Sequence, residues 1–263
     1  MPELKPSELR EAITKVFTCY GTPNEIAEKV SSSLVRSNLV GHDSHGAAMV
    51  PIYVKKIEDG EIKPDATPTI RNQEGAVSSI NCRRGFGHLG GFLGVKTVVN
   101  QAKELGVATV ALEEVNHVGR VGEYGELIAE AGMVGLIVAS GSGPGGSVAP
   151  YGGSKPVFGT NPICWSFPRS GKEFPFLLDM ATSNIAWGKV SAARNTNSEV
   201  TEGSLVDNKG RPSQNPNAFF EGGALLPFGE QKGGGLMFAI EIMATLFTGF
   251  APAISEDFKL GNP

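Results

Sequence analysis

The sequence predicts an α/β fold with an N-terminal helical region. Helical periodicity without strand signals fills residues 7–59, short apolar runs alternate with helical segments from Ala76 onward, and 35 of the 263 residues are glycine. Alternating strands and helices cover a largely buried sheet with helices. Glycine at this density marks tight turns and places where backbone approaches a ligand closely. A chain of 263 residues exceeds the usual single domain, so one large or two closely joined domains are expected. The change of composition after Gly75 separates residues 1–75 from 76–263.

Residues 7–20 and 22–40 read as two helices. The second opens with Thr22-Pro23-Asn24-Glu25, which offers a capping hydroxyl, proline at the first helical position and glutamate three residues after the cap. A third helix is expected over 44–59, stopping at Gly60, and the proline- and threonine-rich stretch 61–75 reads as a connector. Then come a strand at 76–82, a helix at 88–105 with Phe92, Val95, Val99 and Ala102 on one side, and a strand at 107–112. A short helix at 122–131 and strands at 134–139, 162–167 and 174–180 follow. Residues 197–217 are polar and turn-rich, the composition of a surface excursion, and a last apolar helix starts near Lys232.

A net charge of -4 gives no basic surface for nucleic acid or an anionic membrane. Cys19, Cys82 and Cys164 are scattered, odd in number and without a CxxC pair, which fits reduced thiols better than a disulfide scaffold. The polar start from Met1 to Glu8 lacks the apolar core of a signal peptide. No apolar run approaches the roughly 20 residues that span a bilayer. The longest, 236–250, is broken by Glu241 and two threonines. A soluble cytoplasmic protein is the expectation.

Two stretches match G-x-G-x-x-G. In Gly85-Phe86-Gly87-His88-Leu89-Gly90, a strand precedes and a helix follows, with Glu113 or Glu114 closing the next strand as a Rossmann site requires. Arg83 and Arg84 stand where that motif needs an immediate tight turn, so a glycine-rich helix entry made for packing is the stronger expectation. The second match, Gly141-Ser142-Gly143-Pro144-Gly145-Gly146, leads into Pro150 and more glycine instead of a helix. It suits a loop lying along a cofactor.

Of four histidines, two sit where chemistry is expected. His117, in Asn116-His117-Val118-Gly119-Arg120, lies past a strand end and before a helix. Active sites of α/β sheets gather at such ends, and an imidazole passes protons near neutral pH. A surface histidine bonded to backbone fits the same position. His45, in His42-Asp43-Ser44-His45-Gly46, has a serine beside it, weak evidence for a hydrolase without a third partner and an oxyanion hole. His42 and His45 lack the further ligands a metal site needs, so no metal is expected. Lys232, before three glycines and an apolar helix, suits an anion site at a helix start or an ordinary exposed lysine.

These segments together resemble the malate/L-lactate/ureidoglycolate dehydrogenases, the type 2 malate/lactate dehydrogenases. The resemblance rests on His42-Asp43-Ser44-His45-Gly46 with Pro51 and Tyr53, and on Asn116-His117-Val118-Gly119-Arg120 with Gly122 and Tyr124. Phe158-Gly159-Thr160-Asn161-Pro162, Leu178-Asp179-Met180-Ala181-Thr182-Ser183 and Trp187-Gly188-Lys189 follow in the family's order. Gly222-Gly223-Ala224-Leu225-Leu226-Pro227 and Lys232-Gly233 complete it, so the resemblance spans nearly the whole chain.

The resemblance implies a homodimeric oxidoreductase that uses NAD or NADP to interconvert small 2-oxo and 2-hydroxy acids. It implies a non-Rossmann nucleotide-binding fold with a mixed sheet, residues 1–75 contributing to the substrate site and 76–263 binding the cofactor. His117 would be the general acid/base, with Ser44, His45 and Asp179 a hydrogen-bonded catalytic cluster lining the substrate pocket. Met49 and Thr160 would line the same pocket. Asp179, Met180 and Ala181 would edge the nicotinamide, Gly141 lie along the cofactor and Lys232 reach its phosphate or ribose. Asp179 also fits a plain capping carboxylate near Thr182. Many members carry arginine, a grip for the substrate carboxylate, where this chain has Met49. A subgroup resembling hydroxycarboxylate dehydrogenase B shares the methionine, which implies a bulkier or more apolar 2-oxo acid. Members also continue beyond the counterpart of Gly249, so a C-terminal truncation is an expectation here. The alternatives are a cyclic imino-acid (ketimine) reductase of the same family and an inactive truncated member acting as a binding protein.

Overall fold

Leu9, Ile13 and Phe17 recur at the spacing that lines one side of a helix, and they meet Ile26, Val30 and Leu34 of the next in a shared buried cluster. The computed structural model describes residues 4–141, 146–171, 174–245 and 248. They form two units: the described residues of Met1–Val134 with Phe167–Pro175, and those of Gly135–Ser166 with Phe176–Pro263.

The first unit begins with α1 (Pro6–Cys19) and α2 (Asn24–Leu39). The expected threonine cap of α2 is not formed. Pro23 holds the cap position, and the Thr22 hydroxyl is buried without a partner. The helix expected over 44–59 is broken into two 3₁₀ turns, Asp43–His45 and Ala47–Met49, followed by α3 (Val50–Glu58). The cause is Gly46, whose backbone is extended. The Asn38 side chain fills the space a Cβ would need there, and its oxygen accepts from the Ala47 amide at 2.8 Å.

The supposed connector contains a strand, β1 (Thr69–Glu74), all of whose residues are exposed, so no apolar alternation betrays it. It pairs antiparallel with β2 (Val77–Asn81) across a turn at Gly75, where φ is 53°. After α4 (Gly87–Leu105), β3 (Thr109–Glu113) runs parallel to β2, giving a mixed three-stranded sheet. The expectation of a largely buried sheet fails at β1, an edge strand with two solvated faces.

The side of α4 that faces the sheet also differs from expectation. Phe92, Val95 and Ala102 are only half-buried, while Gly90, Gly94, Thr97 and Gln101 form the buried seam with Val99 beside it. A Cβ on Gly90 would lie 2.4 Å from Cys82 Sγ, and one on Gly94 would meet Leu112 at 3.5 Å. Small residues, not large apolar ones, let the helix approach β2 and β3. The first glycine match is therefore occupied by packing: a Cβ on Gly87 would lie 2.1 Å from the Asn116 carbonyl oxygen. The unit continues with α5 (Val121–Glu130).

The second unit contains β4 (Gly135–Val138), β5 (Ile163–Phe167) and β6 (Phe176–Met180), hydrogen-bonded in that order, with β4 and β5 antiparallel. β4 does not extend the first sheet, as a simple β-α-β-α-β reading would have it. No helix was expected at α6 (Trp187–Asn195), whose apolar periodicity is weak with only Val190 buried. Within the supposed surface excursion lie β7 (Leu205–Val206), β8 (Pro212–Ser213) and the start of α7 (Pro216–Phe220). β7 pairs with β8 and with β9 (Ala224–Leu225), and Leu205, Val206, Ala224 and Leu225 are buried. Two-residue strands are too short to show alternation. The apolar helix α8 (Gln231–Ala244) starts where expected. The core of this unit gathers Val148, Phe158, Val190, Leu205, Leu225 and Met237. Most of the second glycine match (142–145) and the C-terminal stretch 249–263 lie outside the described residues.

Two alanine substitutions in α4 separate close packing from helix propensity. Gly87→Ala is expected to cost about 1–3 kcal/mol, because the obstruction is backbone and cannot rotate away. Gly94→Ala meets only ordinary contacts and is expected to gain up to about 1 kcal/mol. Urea unfolding of both variants checks the pair; equal stabilities would discard this account of the seam.

Candidate active site

His117 stands on the 114–120 loop between β3 and α5, and the loop is fixed by backbone geometry before any side chain acts. Glu114 has φ 49°, and the facing Arg83 and Arg84 have φ 53° and 59°. Left-handed conformations outside glycine are uncommon and persist only where surroundings enforce them. Here the Cys82 amide donates to the Glu113 carbonyl at 2.8 Å and the Arg84 amide to the Glu114 carbonyl at 2.9 Å. The Asn116 amide nitrogen is shared among the carbonyls of Glu61, Arg84 and Gly85 at 2.9–3.1 Å.

Around His117 the first unit assembles a cluster of rings. Tyr53 Oη lies 2.6 Å from His117 Nδ1. The His45 ring stacks on His117 with centroids 5.4 Å apart and planes 26° apart. His45 Nδ1 is 3.0 Å from Ser44 Oγ, and His88 sets its edge against Tyr53 at 5.7 Å. The four side chains Ser44, His45, His117 and Tyr53 thus form one chain of contacts. Met49 flanks the apolar core beside them, half-buried.

The three rings differ in access. His117 keeps an exposed edge although protein atoms crowd it, His45 is half-buried, and His88 is fully buried. Crowding holds the His117 imidazole below its usual value, with further lowering by His45, His88 and Lys56. Burial first, then the charges of His42 and Arg120, brings His45 down to about 4. Burial and then His45 bring His88 to about 4 as well. Burial holds the Tyr53 phenol far above its ordinary range, so its hydroxyl keeps its proton.

Arg120, 3% exposed at the α5 entry, binds Glu126 at 2.9 Å, and Arg36 binds the same carboxylate at 2.7 Å. Ser33 donates to the buried Glu123, whose carboxyl burial pushes up. His42 lies 6.5 Å from His45 ring to ring, and among the described residues no group of His, Cys, Asp or Glu is placed to hold a metal ion.

The remaining expected residues belong to the second unit. Asp179 and Met180 end β6 and Ala181 follows, all half-buried. Just beyond, the Thr182 hydroxyl donates to the carbonyls of Thr160 and Asn161 at 3.0 and 2.9 Å, fixing the Thr160 loop. Gly141, exposed with φ 122°, sits beside Gly159, where a Cβ would approach the Gly141 backbone to 3.1 Å. Lys232 is exposed in the first turn of α8.

Three residues of these surroundings escaped the sequence. Tyr53 was visible only as a companion of the histidine motif. His88 was hidden inside a glycine match, and its signal was the glycines around it, which only a buried helix face requires. Glu241, which merely interrupts an apolar run in the sequence, accepts from Ser140 Oγ at 2.5 Å and Asn161 Nδ2 at 2.8 Å. It ties α8 to the end of β4 and to the Thr160 loop.

The sequence pattern of malate/L-lactate dehydrogenases matches residues 4–259. Hydroxycarboxylate dehydrogenase B of Escherichia coli O157:H7 is 37% identical over 92% of this chain and 67% of its own length. Malate/(S)-sulfolactate dehydrogenase of Methanothermus fervidus is 36% identical over 92% of this chain and 69% of its own. Among solved structures, a putative malate/lactate dehydrogenase from E. coli superposes with a TM-score of 0.93 at 34% identity, covering 98% of this chain and 72% of that one. The Δ1-piperideine-2-carboxylate reductase of Pseudomonas syringae pv. tomato gives 0.90 at 30% identity, covering 98% and 76%.

The buried His88 makes stability depend on acid. Its folded value is lowered from 6.5 to about 4, so the unfolded chain binds the extra proton between those values. The stabilisation is complete above pH 6.5 and is lost as pH falls toward 4, at about 3 kcal/mol in all. Chemical denaturation between pH 4 and 7 is expected to show this slope added to those of His45 and His117, and His88→Gln to reduce it by the His88 share. An unchanged slope in the variant would assign the acid sensitivity elsewhere.

Proposed function

The chain belongs to the malate/L-lactate dehydrogenase family, and we propose that it transfers a hydride between NAD(P)H and a small 2-oxo/2-hydroxy acid with His117 as general acid/base. The observation that carries this assignment is the contact of His117 with Tyr53 on one side and His45 on the other, with an edge left open. In reduction, a doubly protonated His117 gives its Nε2 proton to the carbonyl oxygen as that oxygen gains charge. In oxidation it takes the hydroxyl proton back. A positioned acid of this kind contributes roughly 10²–10⁴-fold. The bound nicotinamide, NAD or NADP, supplies or accepts the hydride.

Ser44 and His45 take the substrate side in this assignment, with Met49 and Thr160 lining the pocket. Met49, packed on the core, offers an apolar wall where an arginine would grip a carboxylate, which favours a 2-oxo acid with a bulkier apolar substituent. Asp179 completes the catalytic cluster and, with Met180 and Ala181, serves the nicotinamide. Gly141 lies along the cofactor and Lys232 meets its phosphate or ribose. The residues present fit a nucleotide: Gly141 leaves backbone uncovered, and Lys232 adds charge at the dipole-positive end of α8. The nucleotide-binding fold in this proposal is not of Rossmann type. Its support is that Gly85, Gly87 and Gly90 press against protein atoms, where a pyrophosphate site needs open space. Residues 1–75 contribute to the substrate site, 76–263 hold the cofactor, and the enzyme works as a cytoplasmic homodimer.

A second activity, reduction of a cyclic imino acid, is favoured by two relatives named Δ1-pyrroline-2-carboxylate/Δ1-piperideine-2-carboxylate reductase, each 32% identical. Reduction assays with pyruvate, oxaloacetate, 2-oxoglutarate, phenylpyruvate and a cyclic ketimine, each with both cofactors, separate the two. His117→Gln is expected to lower turnover by roughly 10²–10⁴-fold while nicotinamide fluorescence titration shows unchanged cofactor affinity. Turnover like the wild type would remove His117 from its role. Absence of NADH and NADPH binding by the unaltered chain would favour a binding protein over an enzyme.

A further inference from the structure

We propose that Tyr53 is the positioning residue of His117: its buried hydroxyl holds Nδ1, so that Nε2 alone exchanges a proton with the substrate. This rests on the assignment of His117 as acid/base, and it carries that assignment down to a named ring atom and a partner.

The geometry is specific. Tyr53 is 1% exposed on α3, packed edge-on to Phe86 at 6.0 Å and to His88 at 5.7 Å, and its hydroxyl reaches His117 Nδ1 at 2.6 Å. A neutral imidazole has one donor and one acceptor nitrogen, and the partner of one decides what the other carries. The hydroxyl oxygen accepts from Nδ1–H of the neutral ring and leaves Nε2 bare, the atom that must take the substrate proton in oxidation. The same hydroxyl oxygen accepts from Nδ1–H once the ring is charged. Burial keeps the phenol protonated, so Tyr53 serves both states as the acceptor of Nδ1–H and does not compete for the Nε2 proton.

The proton count follows. In reduction the charged ring gives its Nε2 proton to the carbonyl oxygen as hydride reaches the carbonyl carbon, and the neutral ring that remains keeps Nδ1–H on the Tyr53 oxygen. Oxidation reverses each transfer, and Tyr53 never loses its own proton. The groups that bear on His117 from other elements are His45 on the first 3₁₀ turn, His88 on α4 and Lys56 on α3, with Lys56 paired to Glu61 at 3.0 Å. Arg120, next along the loop, acts on His45. All of these are positive when charged and disfavour the charged ring. The Tyr53 oxygen is the partner that favours it.

Tyr53→Phe keeps the buried ring and deletes only the hydroxyl. With four histidines in the chain, long-range ¹H–¹⁵N spectra give four resolvable ring systems, and His117 is assigned by its loss in His117→Gln. In the unaltered protein near neutral pH we expect His117 as the Nδ1–H tautomer, and in Tyr53→Phe a mixture of both tautomers. In the assay we expect the kcat for reduction to fall about ten- to hundredfold with KM for the cofactor unchanged. The limb on which reduction is lost as pH rises should move to lower pH, because the charged ring has lost its acceptor. An unchanged tautomer in Tyr53→Phe overturns the proposal, as does an unshifted limb in an active enzyme. If the unaltered chain reduces no 2-oxo or imino acid, the assignment of His117 fails while the tautomer spectra still decide what Tyr53 does.

Discussion

The single amide nitrogen of Asn116 reaches the carbonyls of Glu61, Arg84 and Gly85, and the placement of His117 hangs from that knot. Three segments distant in sequence converge there: the end of α3 with its following turn, the strained 82–87 bend and the loop after β3. Buried carbonyls at such bends have no ladder to join, and leaving them unpaired costs about 1–3 kcal/mol each. A side-chain amide satisfies them and cross-links the three segments. The left-handed conformations of Arg83, Arg84 and Glu114 persist because this cross-link and the two backbone bonds from Cys82 and Arg84 enforce them. Once the bend is fixed, Gly87 can start α4 against the Asn116 carbonyl, and α4 then packs its small-residue seam on the sheet.

The sequence made part of this legible. Long periodic helices declared themselves, and so did β2, α4 and β3, because burial imposes a pattern over enough residues to be seen. The elements that stayed hidden are short or solvated. β1 is exposed on both faces, β7 and β9 have two residues each, and α6 buries Val190 alone. The helix over 44–59 failed for a different reason. One long-range contact, Asn38 against Gly46, outweighed local propensity, and local propensity is all that a window of sequence contains.

The site was legible as a set of motifs and not as a geometry. Ser44 and His45 were visible as neighbours, but that His45 would stack on His117, 72 positions away, depends on the whole path between them. Arg83 and Arg84 illustrate the limit well. In the sequence they spoil a dinucleotide fingerprint; in the fold they are the bend that the Asn116 knot holds. The same residues argue against one function in the sequence and conceal their structural part in the fold.

Access sorts the histidines of the first unit more sharply than proximity does. His88 and His117 both lie against Tyr53 and both are held below the usual imidazole value, so neither ring contact nor titration distinguishes them. A group that exchanges protons with a substrate must be reachable by it, and His88 shows no surface while His117 does. Among the described residues His88 also lacks a partner on either nitrogen, so nothing fixes which one carries the hydrogen, whereas Tyr53 engages Nδ1 of His117, a residue that keeps exposed surface. A ring held at one atom and open at the other is what general acid/base chemistry requires. A ring sealed at both atoms can only fill space and resist being charged, and that resistance appears as the dependence of the fold on pH.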